Sequence, residues 1–91
     1  MLIRNADLRW LVHAVRHVQT RSVTESVECQ ELIHRFDIAL EENPQLEAFC
    51  MSFSRSQVLL LSWAADEGNC RDVDERLLRG RIMVTLSKEA T

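Results

Sequence analysis

Two histidines, His13 and His17, are spaced four residues apart in the first fifth of the sequence. On a helix, this spacing lets two imidazoles reach one metal ion. A complete site needs further ligands, but the remaining histidine, His34, and the three cysteines follow no metal-ligand spacing. We therefore predict that the pair belongs to a solvated basic face and that the protein binds no metal.

The three cysteines, Cys29, Cys50 and Cys70, are odd in number, and none belongs to a Cys-x-x-Cys pair. This pattern indicates neither a disulfide framework nor a zinc knuckle. We expect all three to be small apolar side chains of the core.

Motifs of enzyme active sites are missing from the sequence. There is no Gly-x-Ser-x-Gly, and two glycines are too few for a phosphate-binding loop or a strained nucleophile turn. A helical chain of 91 residues also has little room for both a core and a deep pocket. We predict a protein that is not an enzyme and has no cofactor. A catalytic cysteine paired with a histidine stays open as an alternative.

The length and composition of the chain limit the secondary structure that can position these residues. A chain of 91 residues can build one core, and its 46% hydrophobic and 27% charged residues are typical of a globular domain. Two glycines and one proline provide few of the turns that many short strands require. We predict that residues 1–91 form a single all-α domain, a compact bundle of four to five helices.

The sequence contains no predicted membrane segment. The first five residues lack the apolar core of a signal peptide, and the longest apolar run, 58–61, is far short of the roughly 20 residues of a membrane span. We expect a cytoplasmic protein that does not insert into membranes.

Apolar spacing and capping residues locate the first two helices. The first is predicted at about 6–20, with arginines and histidines on its outer side. A capping box of Ser22 and Glu25 begins the second, at about 23–42, which is the longest helix. It ends before Pro44, because the residue that precedes a proline is driven out of the helical conformation.

Three further helices are predicted after Pro44. Asn43 as a cap and Pro44 at the first helical position predict a short helix over about 44–53. The next, at about 55–67, is apolar on almost all sides and is therefore expected at the centre of the bundle. The last is predicted from Asp72 to about Lys88, with the apolar positions Val73, Leu77, Leu78, Ile82 and Leu86. The alternation over 81–86 also fits a strand, but no other segment supplies an obvious partner unless two copies pair.

The second helix carries two apolar stripes. The main stripe contains Cys29, Leu32, Ile33, Phe36 and Leu40, and a separate narrow stripe contains Val23, Val27, His34 and Ile38. Either two other helices of the same chain flank this helix, or its second stripe contacts a partner chain.

The charges are unevenly distributed along the chain. Residues 1–21 have a net charge of +3, whereas residues 22–47 have a net charge of −6. An acidic face beside an apolar stripe suits docking onto a basic protein, such as one that binds nucleic acid. The alternative is that the acidic face is solvated and pairs with the basic first helix of the same molecule.

These patterns together predict a protein-protein interaction module. Its expected role is that of a small inhibitor, adaptor or chaperone-like subunit, of phage, mobile-element or bacterial origin, and we expect it to form a homodimer. The predicted partner-binding residues are Val23, Val27, Glu31, His34, Ile38, Glu41 and Glu42.

The alternative function is DNA binding through the last two helices as a degenerate helix-turn-helix. Asp72, Asp74 and Glu75 stand at the start of the would-be recognition helix, where contacts with phosphates and bases should form. Arginines that follow compensate only in part, so we do not expect nucleic acid as the partner.

Overall fold

The computed structural model describes residues 1–89 and contains four helices and a small sheet. The helices are α1 (Asn5–His17), α2 (Val23–Glu42), α3 (Arg55–Glu67) and α4 (Val73–Glu89), and the strands are β1 (Leu2–Arg4) and β2 (Ala48–Cys50). The radius of gyration is 12.3 Å, the value expected of a compact chain of this length. The predicted helical bundle, with its longest helix at 23–42, is confirmed.

Side-chain caps begin three of the helices where the sequence predicted them. In each case the side chain of the capping residue accepts a hydrogen bond from the backbone N–H three residues later, which satisfies a donor that the helix leaves free. The pairs are Ser22 with Glu25 at 3.1 Å, Ser54 with Gln57 at 3.2 Å, and Asp72 with Glu75 at 2.9 Å. The first helix is shorter than predicted, because the backbone becomes extended at Val18.

The helix predicted over about 44–53 is wrong. Residues 48–50 form β2, which pairs with β1 in antiparallel register, with Ile3 opposite Phe49. Both of these side chains are buried in the core. The strand buries Phe49 and satisfies its backbone through β1, so pairing distant in sequence prevails over the local helical spacing.

Of the three cysteines expected in the core, only Cys29 is buried, whereas Cys50 is exposed and Cys70 is half-buried.

The centre of the bundle is shared by α1 and α3, each of which packs against the three other helices. The predicted central position of the helix at 55–67 is thus confirmed. The largest fully buried side chains are Leu8, Leu11, Val15, Leu32, Phe36, Val58, Leu61, Ile82 and Leu86. The last helix continues without interruption through 81–86, so the alternative of a strand there is wrong. None of the helices within residues 1–89 has the length and apolar character needed to cross a membrane.

Candidate interaction surfaces

The seven predicted partner-binding residues all lie on the exposed side of α2. We call them the α2 surface: Val23, Val27, Glu31, His34, Ile38, Glu41 and Glu42. Val23 is 81% exposed, Val27 is 50% exposed and Ile38 is 39% exposed. At 3.6 residues per turn, this stripe is about half a turn around the helix from the buried Leu32 and Phe36.

The helices that pack against α2 contact its opposite side. Its neighbours are α1 and, to a smaller extent, α3. These helices bury Cys29, Leu32, Phe36 and Leu40 and leave the second stripe uncovered. The explanation that this stripe is flanked by helices of the same chain is therefore wrong.

Several acidic residues outside the α2 surface are engaged within the molecule. Asp37 forms an ion pair with Arg16 of α1, and Glu25 forms one with Arg21 at 3.1 Å. Glu28 accepts a hydrogen bond from Ser56. The predicted pairing of the acidic helix with basic α1 thus occurs at Asp37.

Glu31, Glu41 and Glu42 differ from these residues. Within residues 1–89, they form no ion pair or side-chain hydrogen bond. Their carboxylates therefore stand in solvent beside the exposed apolar side chains of the same stripe, which combines negative charge with an apolar centre.

Cys29, the cysteine of α2, is buried in the core. Burial raises the pKa of the Cys29 thiol, and the neighbouring carboxylates of Glu25 and Glu28 raise it further. A thiol in such surroundings stays protonated and unreactive. The environment of Cys29 therefore gives no support to a catalytic cysteine.

The histidine pair lies on the solvent side of α1. The rings of His13 and His17 are 4.3 Å apart between centroids and border a groove of about 630 Å³ with Trp63 and Glu67. Within the part of the chain that the structure describes, no group of three or more His, Cys, Asp or Glu side chains is placed to hold one metal ion.

The helix α4 carries an exposed apolar stripe that the sequence reasoning missed. Val73 and Leu77, which share one apolar pattern in the sequence with the buried Ile82 and Leu86, are 65% and 60% exposed, and Val84 is 56% exposed. With Gly80 and Ser87 they recur at alternating intervals of four and three residues, which places them on one side of the helix. We call Val73, Leu77, Gly80, Val84 and Ser87 the α4 surface. The spacing of these five residues is visible in the sequence, but the sequence does not show which side of α4 meets the core.

The arginines that a DNA-binding role would require are largely engaged elsewhere. Arg71 pairs with Glu75 at 3.0 Å, Arg79 donates a hydrogen bond to the Gly68 carbonyl, and Arg81 pairs with a carboxylate of α1. The first turn of α4 is acidic. This geometry does not favour α4 as a recognition helix.

Compared with protein-family models, with curated proteins and with solved structures, the chain gave no match.

Proposed function

We propose that this protein is a non-enzymatic binding module of the cytoplasm that docks onto a basic protein through the α2 surface. The observation that carries the proposal is the exposure of Val23, Val27 and Ile38 on the side of α2 opposite the core. A regular apolar stripe in water on the longest helix is costly for a small monomer and typical of a surface that a partner covers.

The charges of the same surface support a basic partner. Glu31, Glu41 and Glu42 are not neutralised within residues 1–89 and lie beside the apolar stripe. Carboxylates at the rim of an interface raise the encounter rate with a positive surface, while apolar side chains at its centre supply affinity. Proteins that bind nucleic acid present such positive surfaces, which suits the role of a small inhibitor, adaptor or chaperone-like subunit.

The test is capture of partners from an extract of the source cells by the immobilised protein. We expect the wild type to retain one or more basic proteins and the double variant Val27→Asp, Ile38→Asp to lose them. The control is Leu59→Asp, which places one such carboxylate at an apolar side chain of α3 that is 57% exposed. The control should retain the same proteins as the wild type.

The contribution of charge is tested separately with the double variant Glu41→Gln, Glu42→Gln. We expect this variant to retain the basic proteins more weakly than the wild type does. We also expect the wild type to retain them more weakly as the salt concentration increases. Retention of the same proteins by the Val27→Asp, Ile38→Asp variant would show that the α2 surface is not the binding surface.

A further inference from the structure

The α4 surface points to a second interaction, with another copy of this chain. We propose that the protein forms a symmetric dimer in which two α4 helices pack antiparallel, with their Gly80 residues facing each other. This contact is separate from the α2 surface, because the two surfaces belong to different helices.

Spacing and exposure are the first support. Val73, Leu77, Gly80 and Val84 recur at intervals of four, three and four residues, the pattern of positions that interlock when two helices pack along their length. The side chains of Val73, Leu77 and Val84 are exposed, whereas Ile82 and Leu86 of the same helix are buried against the rest of the molecule. The helix therefore has one side in the core and an apolar stripe on the opposite side.

Gly80 provides the point of closest approach. A Cβ built at Gly80 meets no atom within 4 Å, so nothing within the described chain requires glycine there. Glycine in the middle of an exposed helix lowers helix stability, yet on a face shared by two helices it lets their backbones approach closely.

An antiparallel arrangement about Gly80 also fits the shape of the α4 helix surface. It places Leu77 of one copy opposite Met83 and Val84 of the other. Met83, Val84, Ser87 and Lys88 line a shallow depression of about 420 Å³. Leu77 would fill this depression in the second copy, and the same contact would occur twice because the dimer is symmetric.

The charges of α4 select the antiparallel orientation. Asp74 lies in the first turn and Lys88 in the last turn, and their separation of 14 positions places both on the same flank of the helix. Antiparallel packing brings Asp74 of one copy near Lys88 of the other at both ends, so that opposite charges meet across the contact.

The size of the contact predicts its strength. A helix of 17 residues is about 25 Å long. One pair of such helices buries less than the roughly 1,200–2,000 Å² of a stable interface, so we expect a concentration-dependent dimer with micromolar affinity.

The experiment is sedimentation equilibrium of the full chain over a range of micromolar concentrations. We expect the wild type to dimerise and Leu77→Asp or Val84→Asp to raise the dissociation constant by at least about tenfold. Ile38→Asp, on the α2 surface, is the matched control and should leave it unchanged. A wild type that stays monomeric, or a dimer that only Ile38→Asp weakens, would overturn the proposal.

Two further variants separate the dimer from effects on folding. Gly80→Gln should raise the stability of the monomer but weaken dimerisation, whereas a glycine without a role in assembly would leave dimerisation unchanged. Asp74→Lys should weaken the dimer, and the double variant Asp74→Lys, Lys88→Glu should restore it. Absence of this restoration would overturn the antiparallel arrangement. Partner capture through α2 is read in a separate assay, so failure of one proposal is distinguishable from failure of the other.

Discussion

Arg81 of α4 donates a hydrogen bond of 3.0 Å to the carboxylate of Asp7 in the first turn of α1. Asp7 is the only buried charged side chain within residues 1–89, with 6% exposure, while the guanidinium of Arg81 is half exposed. The hydrogen bond to Asp7, together with its negative charge, raises the pKa of Arg81. This ion pair joins residues 74 positions apart and fixes the side of α4 that faces the bundle.

Removal of either partner of this pair should destabilise the fold. Arg81→Gln leaves the carboxylate of Asp7 buried without a cation, so we expect a larger loss than for Arg16→Gln, whose ion pair with Asp37 is more exposed. The expected loss for Arg16→Gln is below about 1 kcal/mol. Urea denaturation of the two single variants, and of the double variant Asp7→Asn, Arg81→Gln, measures the differences in the free energy of unfolding. Equal losses for Arg81→Gln and Arg16→Gln would contradict the prediction.

Replacement of the two glycines by alanine should have opposite effects on the stability of the protein. A Cβ at Gly68 would lie 2.7 Å from Cη2 of the buried Trp10, so we expect Gly68→Ala to destabilise the protein by about 1–3 kcal/mol. A Cβ at Gly80 meets nothing within 4 Å, and alanine is the better helix former, so Gly80→Ala should stabilise the monomer by up to about 1 kcal/mol. Thermal unfolding at low protein concentration measures both. A stabilised Gly68→Ala variant would show that Trp10 does not pack as described.

The two sides of α2 should differ sharply in their contribution to stability. Phe36 is fully buried, and we expect Phe36→Ala to lower the free energy of unfolding by about 3–5 kcal/mol. Ile38 lies on the α2 surface and is 39% exposed, so Ile38→Asp should lower it by much less, about 1 kcal/mol. Chemical denaturation of the two variants makes the comparison. A large loss for Ile38→Asp would mean that the α2 surface packs within the molecule.

The start of α2 should weaken in acid. The backbone N–H of Arg21, followed by its guanidinium, donates hydrogen bonds that lower the pKa of Glu25 in the folded state. The unfolded chain therefore binds this proton more readily than the folded chain. The stability from Glu25 is present above its ordinary pKa of 4.5 and is lost as the pH falls through the lower folded value.

Glu25→Gln is the variant that isolates this effect. It should be less stable than the wild type at neutral pH, and the difference should shrink in acid, where the wild-type carboxylate is protonated. Urea midpoints of both proteins from neutral pH to about pH 3 give the comparison. A difference in stability that stays constant over this range would show that ionisation of the Glu25 carboxylate is not its source.

The helix boundaries were largely predictable, because capping is local. Ser22, Ser54 and Asp72 each bond a backbone N–H only three residues away, so the signal is contained within one turn. The strand at Phe49 was not predictable in this way. Its partner, Ile3, is 46 positions distant, and the apolar spacing after Pro44 fits a helix when it is considered alone.

The α2 surface was predicted residue by residue, because its stripe is separate from the core stripe in the sequence. The α4 surface was missed, because Val73 and Leu77 fit the same apolar pattern as the buried Leu86. Helical periodicity shows which residues share a side of a helix but not which side is covered.

The sequence by itself determined the helical class, three helix starts and the existence of a second, acidic and apolar stripe on the longest helix. Each of these depends on residues within a few turns of one another. Only the tertiary structure decided the β1–β2 pairing, the burial of Asp7 beneath Arg81 and the exposed side of α4. These features depend on contacts between residues distant in the chain, which form only when packing brings the helices together.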